Sequence, residues 1–255
     1  MLPQPIADRA RANTTLRNLY RLSRRTTYRT AVAARLGFAA QARTLPVERV
    51  GRLVRIATDA IVGYTAPQHW PEPQRTFVLS GRWDIDFRYD LDGYFRASPN
   101  YRSTFQIFAE GHPYWESEQF QNLRRSIETE GSHFRTPDMD ALHAYFLDLQ
   151  RVFEEIRGGG YRSQVELGYR GDDALDEVKV VVDRRGELLR AYGGNHRFAM
   201  AQILGVPTLP VLVVGVHEAW ARRWFAHADH DLAAALNRGI AALGEGKTQP
   251  PSGGR

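Results

Sequence analysis

Residues 178–205 read VKVVVDRRGELLRAYGGNHRFAMAQILG, and this stretch decides the fold class. Val178-Lys179-Val180-Val181-Val182 is rich in β-branched residues and predicts a strand. Asp183-Arg184-Arg185-Gly186 supplies turn residues, so Leu188–Tyr192 is expected to return as the second arm of a hairpin. Gly193 and Gly194 interrupt the strand, and Asn195 opens a helix through Leu204. Gly205 ends that helix and Pro207 forbids its continuation. An apolar strand follows at Leu209–Val216, and a helical pattern resumes from Glu218. Upstream, Thr136-Pro137-Asp138 predicts a helix start with a hydroxyl cap. Leu142, Phe146, Leu149, Phe153 and Ile156 form the buried stripe of this helix, which ends at Gly158-Gly159-Gly160. Val165 is expected in a short strand. Helix, strand, hairpin, helix and strand in this order make a compact α+β unit.

The 255 residues suffice for one large domain with an extension. Cysteine is absent, which excludes disulfides, thiolate nucleophiles and cysteine-ligated zinc. The net charge of +5 is unevenly placed. Residues 1–45 hold nine arginines, no lysine and one acid, Asp8, so the rest of the chain carries a small acidic excess. Such an arm fits contact with nucleic acid or another anionic surface, or a solvated helix packed on its own domain. Ser23-Arg24-Arg25 and Ala40-Gln41-Ala42 imitate an export signal, but Arg29 and Arg35 interrupt its apolar segment. An organellar transit peptide would be richer in serine than this arm, which has Ser23 alone. No transmembrane segment is expected, and the expected location is cytoplasmic.

Prolines punctuate the chain from Pro46 to Pro73, and residues 77–134 are rich in aromatics. The helical spacing of Tyr101, Phe105 and Phe108 favours core packing over a base-stacking platform. The expected organisation is a basic helical arm at 1–45 and a helical aromatic-rich region at 46–139. The α+β unit follows at 140–218, then C-terminal helices at 219–243 and a disordered tail at 244–255.

The candidate site is Gly193-Gly194-Asn195-His196-Arg197. Paired glycines permit positive φ and let a ligand approach the backbone. The following helix offers unpaired N–H groups and a partial positive charge to an anion. Asn195 is the expected N-cap; His196 adds a titratable donor and Arg197 a planar fork for phosphate oxygens. The other reading is an ordinary turn, with Arg197 in solvent and His196 bonded to a carbonyl. The Walker and dinucleotide-binding glycine patterns are both absent. Gly194→Val is expected to abolish binding while leaving the fold intact.

Other constellations are weaker. His227 and His230, flanked by Asp229 and Asp231, could begin a metal site but lack a third ligand. Trp83-Asp84-Ile85-Asp86 alternates like an edge strand, with Asp84 and Asp86 as carboxylates for a divalent ion. His112 and His133 are expected in exposed loops. Asp172, Asp173, Asp176 and Glu177 could share a phosphate-bound magnesium, and Glu166 and Glu177 are candidate general bases.

Residues 145–218 resemble the ParB/sulfiredoxin-like fold. The resemblance is carried by Phe153–Gly158, Tyr161–Val165, Val178–Val182, Gly194-Asn195-His196-Arg197 with Ala199 and Ala201, and Leu209–Val214. A longer stretch resembles a microbial subgroup of that fold; it includes Gly81-Arg82-Trp83-Asp84, Tyr161-Arg162-Ser163-Gln164, and Val216-His217 with Trp220. The resemblance implies a nucleoside triphosphate or diphosphate, with Mg2+, held by Gly193, Gly194, Asn195, His196, Arg197 and Gln164. His196 and Arg197 would then be the catalytic pair of a phosphotransferase or NTP hydrolase. The alternatives are a non-enzymatic nucleotide-sensing or nucleic-acid-binding module, or a metal-dependent nuclease. The chain departs from sulfiredoxins, whose catalytic cysteine is replaced at the turn by Asn195, so sulfinic acid reduction is excluded. It departs from ParB clamps in lacking their Gly-Glu-Arg-Arg turn, and too few residues follow the site for their helix-turn-helix domain. Free-serine kinases of this fold share the His-Arg turn, but no serine-recognition element is assigned here.

Overall fold

The computed structural model describes residues 37–70, 76–131, 136–228 and 230–251. Residues 1–36, His133, Asp229 and residues 252–255 lie outside this set. The chain is a mixed α+β protein, as residues 178–216 imply. Its strands are β1 (Leu53–Ala57), β2 (Ile61–Tyr64), β3 (Val78–Leu79), β4 (Val178–Val182), β5 (Leu188–Arg190) and β6 (Thr208–His217). They form one sheet of order β1-β6-β4-β5-β2, and β3 also pairs with β6.

β4 and β5 are the expected antiparallel hairpin, with Val181 opposite Leu189. β6 returns parallel to β4, placing Val178 beside Val211. Its other edge takes β1 antiparallel (Leu53 opposite Leu212) and, further along, β3 parallel (Val78 opposite Val216). β2 lies parallel to β5, starting with Ile61 beside Leu188.

The run Val180-Val181-Val182 of β4 follows from burial on both faces. Val178, Val180 and Val182 enter the main core with Phe198, Leu209 and Trp220. Val181 faces the opposite side, with Trp70, Leu79, Trp83 and Leu189. Each such valine contributes about 1.5–3 kcal/mol of burial free energy.

Eight α-helices lie among the described residues: α1 (Phe38–Thr44), α2 (Trp83–Asp86), α3 (Pro99–Phe108), α4 (Glu118–Glu130), α5 (Met139–Gly159), α6 (Asn195–Ile203), α7 (Glu218–Phe225) and α8 (Leu232–Gly244). Helix α6 touches β4, α3 and α5. Its Phe198-Ala199-Met200-Ala201 is wholly buried, one turn that is apolar on every side and packed on every side. Ile107, Phe120, Leu142 and Phe146 clamp α3, α4 and α5 together in a second cluster. Helices α3 and α5 are thereby held over the start of α6.

Several expectations are corrected. The region 46–139 is not only helical: it supplies β1, β2 and β3, so the sheet extends beyond 140–218. Residues 38–45 belong to the body, with Phe38 buried and Gln41 bonding His230 O at 2.7 Å and Leu232 N at 2.9 Å. Thr136 does not cap α5; Asp138 does, accepting from Ala141 N at 2.8 Å. Trp83–Asp86 is a helical turn, and Val165 lies in a turn rather than a strand. The described part of the expected tail is docked at Thr248 and Gln249: Trp220 Nε1 donates to Thr248 O at 2.9 Å, and Gln249 Nε2 to Arg185 O at 2.5 Å. Among the described residues no helix is long and apolar enough to cross a membrane.

Candidate functional site

A cleft of about 650 Å³ opens between α5, the segment 160–176 and the start of α6. All five residues of the 193–197 turn line it, together with Tyr145, Arg162 and Gln164. Gly193 and Gly194 both have positive φ, 70° and 59°. Their second reason for being glycine differs from the one expected. A Cβ on Gly194 would lie 2.9 Å from Val178 N and Cα, and one on Gly193 would lie 3.0 Å from Lys179 Nζ. The glycines thus let the turn press against β4, and Gly194→Val would collide with strand backbone instead of sparing the fold.

Gly194, not Asn195, is the N-cap of α6, and no side chain caps the helix. The bond from Phe198 N to Gly194 O, 2.9 Å long, opens the helical ladder. The N–H groups of Asn195, His196 and Arg197 therefore have no partner within the helix. Asn195 instead turns its Oδ1 to accept from Arg190 Nη2.

His196 is bonded on both ring nitrogens, Nδ1 to Thr104 Oγ1 at 2.8 Å and Nε2 to Tyr145 Oη at 2.9 Å. Thr104 gives its one hydroxyl proton to Asn100 O, 2.7 Å away. It must therefore accept from His196 Nδ1–H, which fixes the neutral tautomer and leaves Nε2 to accept from Tyr145 O–H. Loss of hydration lowers the imidazole from the usual 6.5 to about 4. His196 is accordingly a neutral strut between α3, α5 and α6 at pH 7.

Arg197 is equally committed. It donates to Glu177 Oε2 at 3.2 Å and to Arg162 O at 2.5 Å, and lies 4.6 Å above the Tyr161 ring. Glu177 is wholly buried, and its Oε1 accepts from Gln164 N at 2.5 Å. Burial raises the Glu177 carboxyl above its ordinary range despite the bond from Gln164 and the charge of Arg197. The expected fork for phosphate thus anchors the segment 161–164 to the turn.

Gln164 reaches the cleft, its Nε2 bonded to Asp176 O at 3.2 Å and its Oε1 buried without a partner. Asp173 and Asp176 line the cleft, whereas Glu177 does not. Glu166 accepts from Ser163 N at 2.6 Å and pairs with Arg55 at 3.2 Å; the Ser163 backbone bond foremost holds it below the carboxylate range. Neither glutamate is poised as a base. Asp84 is buried far from the cleft in a bidentate pair with Arg184, and Asp86 pairs with Arg82. His227 bonds Arg223 O, and His112 is exposed. Among the described residues no group of three metal-ligating side chains occurs.

Sequence reasoning missed Thr104, Tyr145 and Arg190. Tyr145 lies beside the stripe residue Phe146, and nothing local distinguishes it. Arg190 did carry a signal, a charge inside the apolar arm Leu188-Leu189-Arg190-Ala191. It is 1% exposed, with Nη2 2.6 Å from Gly193 O and its guanidinium 4.4 Å above the Phe95 ring. No protein-family model, curated protein or solved structure matches the chain, so the site rests on its own geometry.

Proposed function

We propose that the chain is a nucleotide-binding protein of ParB/sulfiredoxin-like type that holds a phosphate of a nucleoside triphosphate or diphosphate at residues 193–197. One observation carries this reading: an uncapped helix N-terminus, entered through two left-handed glycines, opens on a cleft of about 650 Å³. Free N–H groups and the helix dipole at such a point favour an anion. Arg162, exposed at the rim, adds a cation, and Gln164 adds a polar side chain. Mg2+ would be bound chiefly through the phosphates, with one carboxylate such as Asp173 or Asp176 completing its shell.

The binding reading is preferred to the catalytic one because His196 and Arg197 are already engaged by protein groups. A phosphotransferase or NTP hydrolase is the second reading, favoured by the five carboxylates on the cleft wall, Asp148, Glu155, Glu166, Asp173 and Asp176. A nucleic-acid role would rest on the arginines at 1–36, outside the described residues.

The test is calorimetric titration with ATP, ADP, CTP and GTP, with and without magnesium, alongside phosphate release. Saturable binding of at least one nucleotide is expected, weakened at least tenfold by Arg162→Glu. Absence of binding across the panel would overturn the proposal, as would an unaffected Arg162→Glu variant. Sustained phosphate release by the wild type would favour the catalytic reading.

A further inference from the structure

The cleft wall carries the carboxylates Asp148, Glu155, Glu166, Asp173 and Asp176, but the 193–197 turn itself rests on a charge with no bonded carboxylate. Arg197 is neutralised by its pairing with Glu177, and His196 is held neutral. Arg190 remains. It is buried behind the turn and does not line the cleft. Its Nη2 grips Gly193 O and Asn195 Oδ1, its Nε has no partner, and the rings of Phe95 and Phe198 lie 4.4 and 5.6 Å away. No carboxylate pairs with it among the described residues; desolvation is the main influence on the guanidinium and lowers it to about 10, so it stays charged.

An unpaired buried cation is costly, and a fold that needed only packing there would be better served by an apolar side chain. The position of this charge gives it a use. It bonds the turn that opens α6, whose uncapped N-terminus follows four residues later in the chain and where the helix dipole is already positive. We propose that Arg190 supplies the fixed positive charge that answers the bound anion, acting through the turn it grips and without touching the ligand. This rests on the cleft being an anion site, and it moves the electrostatic role from Arg197 to a positioning residue on β5. The ligand class it implies is a multiply charged one, di- or triphosphate before monoester, because the charge has no protein counter-ion to displace.

The probe is inorganic pyrophosphate, titrated calorimetrically into wild type, Arg190→Met and Arg190→Lys, with melting temperatures measured for each. Arg190→Met should lose at least tenfold in affinity; it also removes the donors to Gly193 O and Asn195 Oδ1, so the melting temperature is read beside the affinity. A fall in melting temperature with affinity kept within twofold overturns the assignment, as does wild-type affinity at unchanged stability. Should the methionine variant lose both affinity and stability, or not fold, Arg190→Lys decides. Affinity within fivefold of wild type supports a charge effect, and loss to background overturns it. Absence of pyrophosphate binding by the wild type instead overturns the cleft reading on which the assignment depends.

Discussion

Protonation of His196 in the unfolded chain should be one source of acid weakness in this fold. The imidazole is held neutral between Thr104 and Tyr145 and lowered from 6.5 to about 4 by burial. Between those values the unfolded chain binds a proton at this residue that the folded chain refuses. Stability is therefore complete above the unfolded value, declines as pH falls through 6.5, and stops declining from this source below about 4. At about 1.4 kcal/mol per pH unit, the interval amounts to roughly 3 kcal/mol. That is a large share of the roughly 5–15 kcal/mol that stabilises a domain. The assay is urea denaturation of wild type and His196→Gln at half-unit steps from pH 7.5 to 4. Other titrating groups contribute equally to both proteins, so the difference curve isolates His196. The advantage of wild type over the variant should shrink by about 3 kcal/mol across this range. A flat difference curve, or a His196 ring resonance titrating near 6.5, would refute the burial argument.

Two further outcomes follow from the packing. Glu177→Gln leaves the largely buried Arg197 without its carboxylate and should cost about 3–5 kcal/mol, read as a lower urea midpoint at unchanged slope. A chain starting at Pro46 should be less stable than one starting at Gly37. It loses the buried Phe38 ring, about 2 kcal/mol, and the two Gln41 hydrogen bonds that tie α1 to the start of α8. Equal melting temperatures for the two chains would show that α1 contributes nothing.

The parts of the fold that were legible are those whose signal is local. The valines of β4, the turn at Asp183–Gly186, the glycines closing α5 and α6, and the apolar run of β6 each announce themselves within a few residues. Strands β2 and β3 are four and two residues long, too short for an alternation to stand out. They become strands by pairing with residues over a hundred positions away. Trp83–Asp86 alternates as written, yet Asp84 is fixed by Arg184 and the segment coils. The site divides in the same way. Its turn could be read, but the partners that fix His196 and Arg197 come from α3, α5 and the strand edge, and no spacing rule links them. Which side of the glycines faces β4 is likewise a property of the packed sheet.

The pairing of β6 on both edges sets the order in which the molecule can be built. Among the described residues the strand ladder of β1 is made with 208–212 and that of β3 with 216–217, so each must wait for β6 before its backbone is satisfied. During synthesis at about 5–20 residues per second, β1 spends roughly 8–30 seconds without its native neighbour. The early strands are therefore the stretch most exposed to chaperones and to misassembly, whereas the β4–β5 hairpin can form at once. Contacts this distant in sequence also favour slow folding. The cleft draws Tyr145 from α5 and its turn from α6, so ligand can reward only the completed fold.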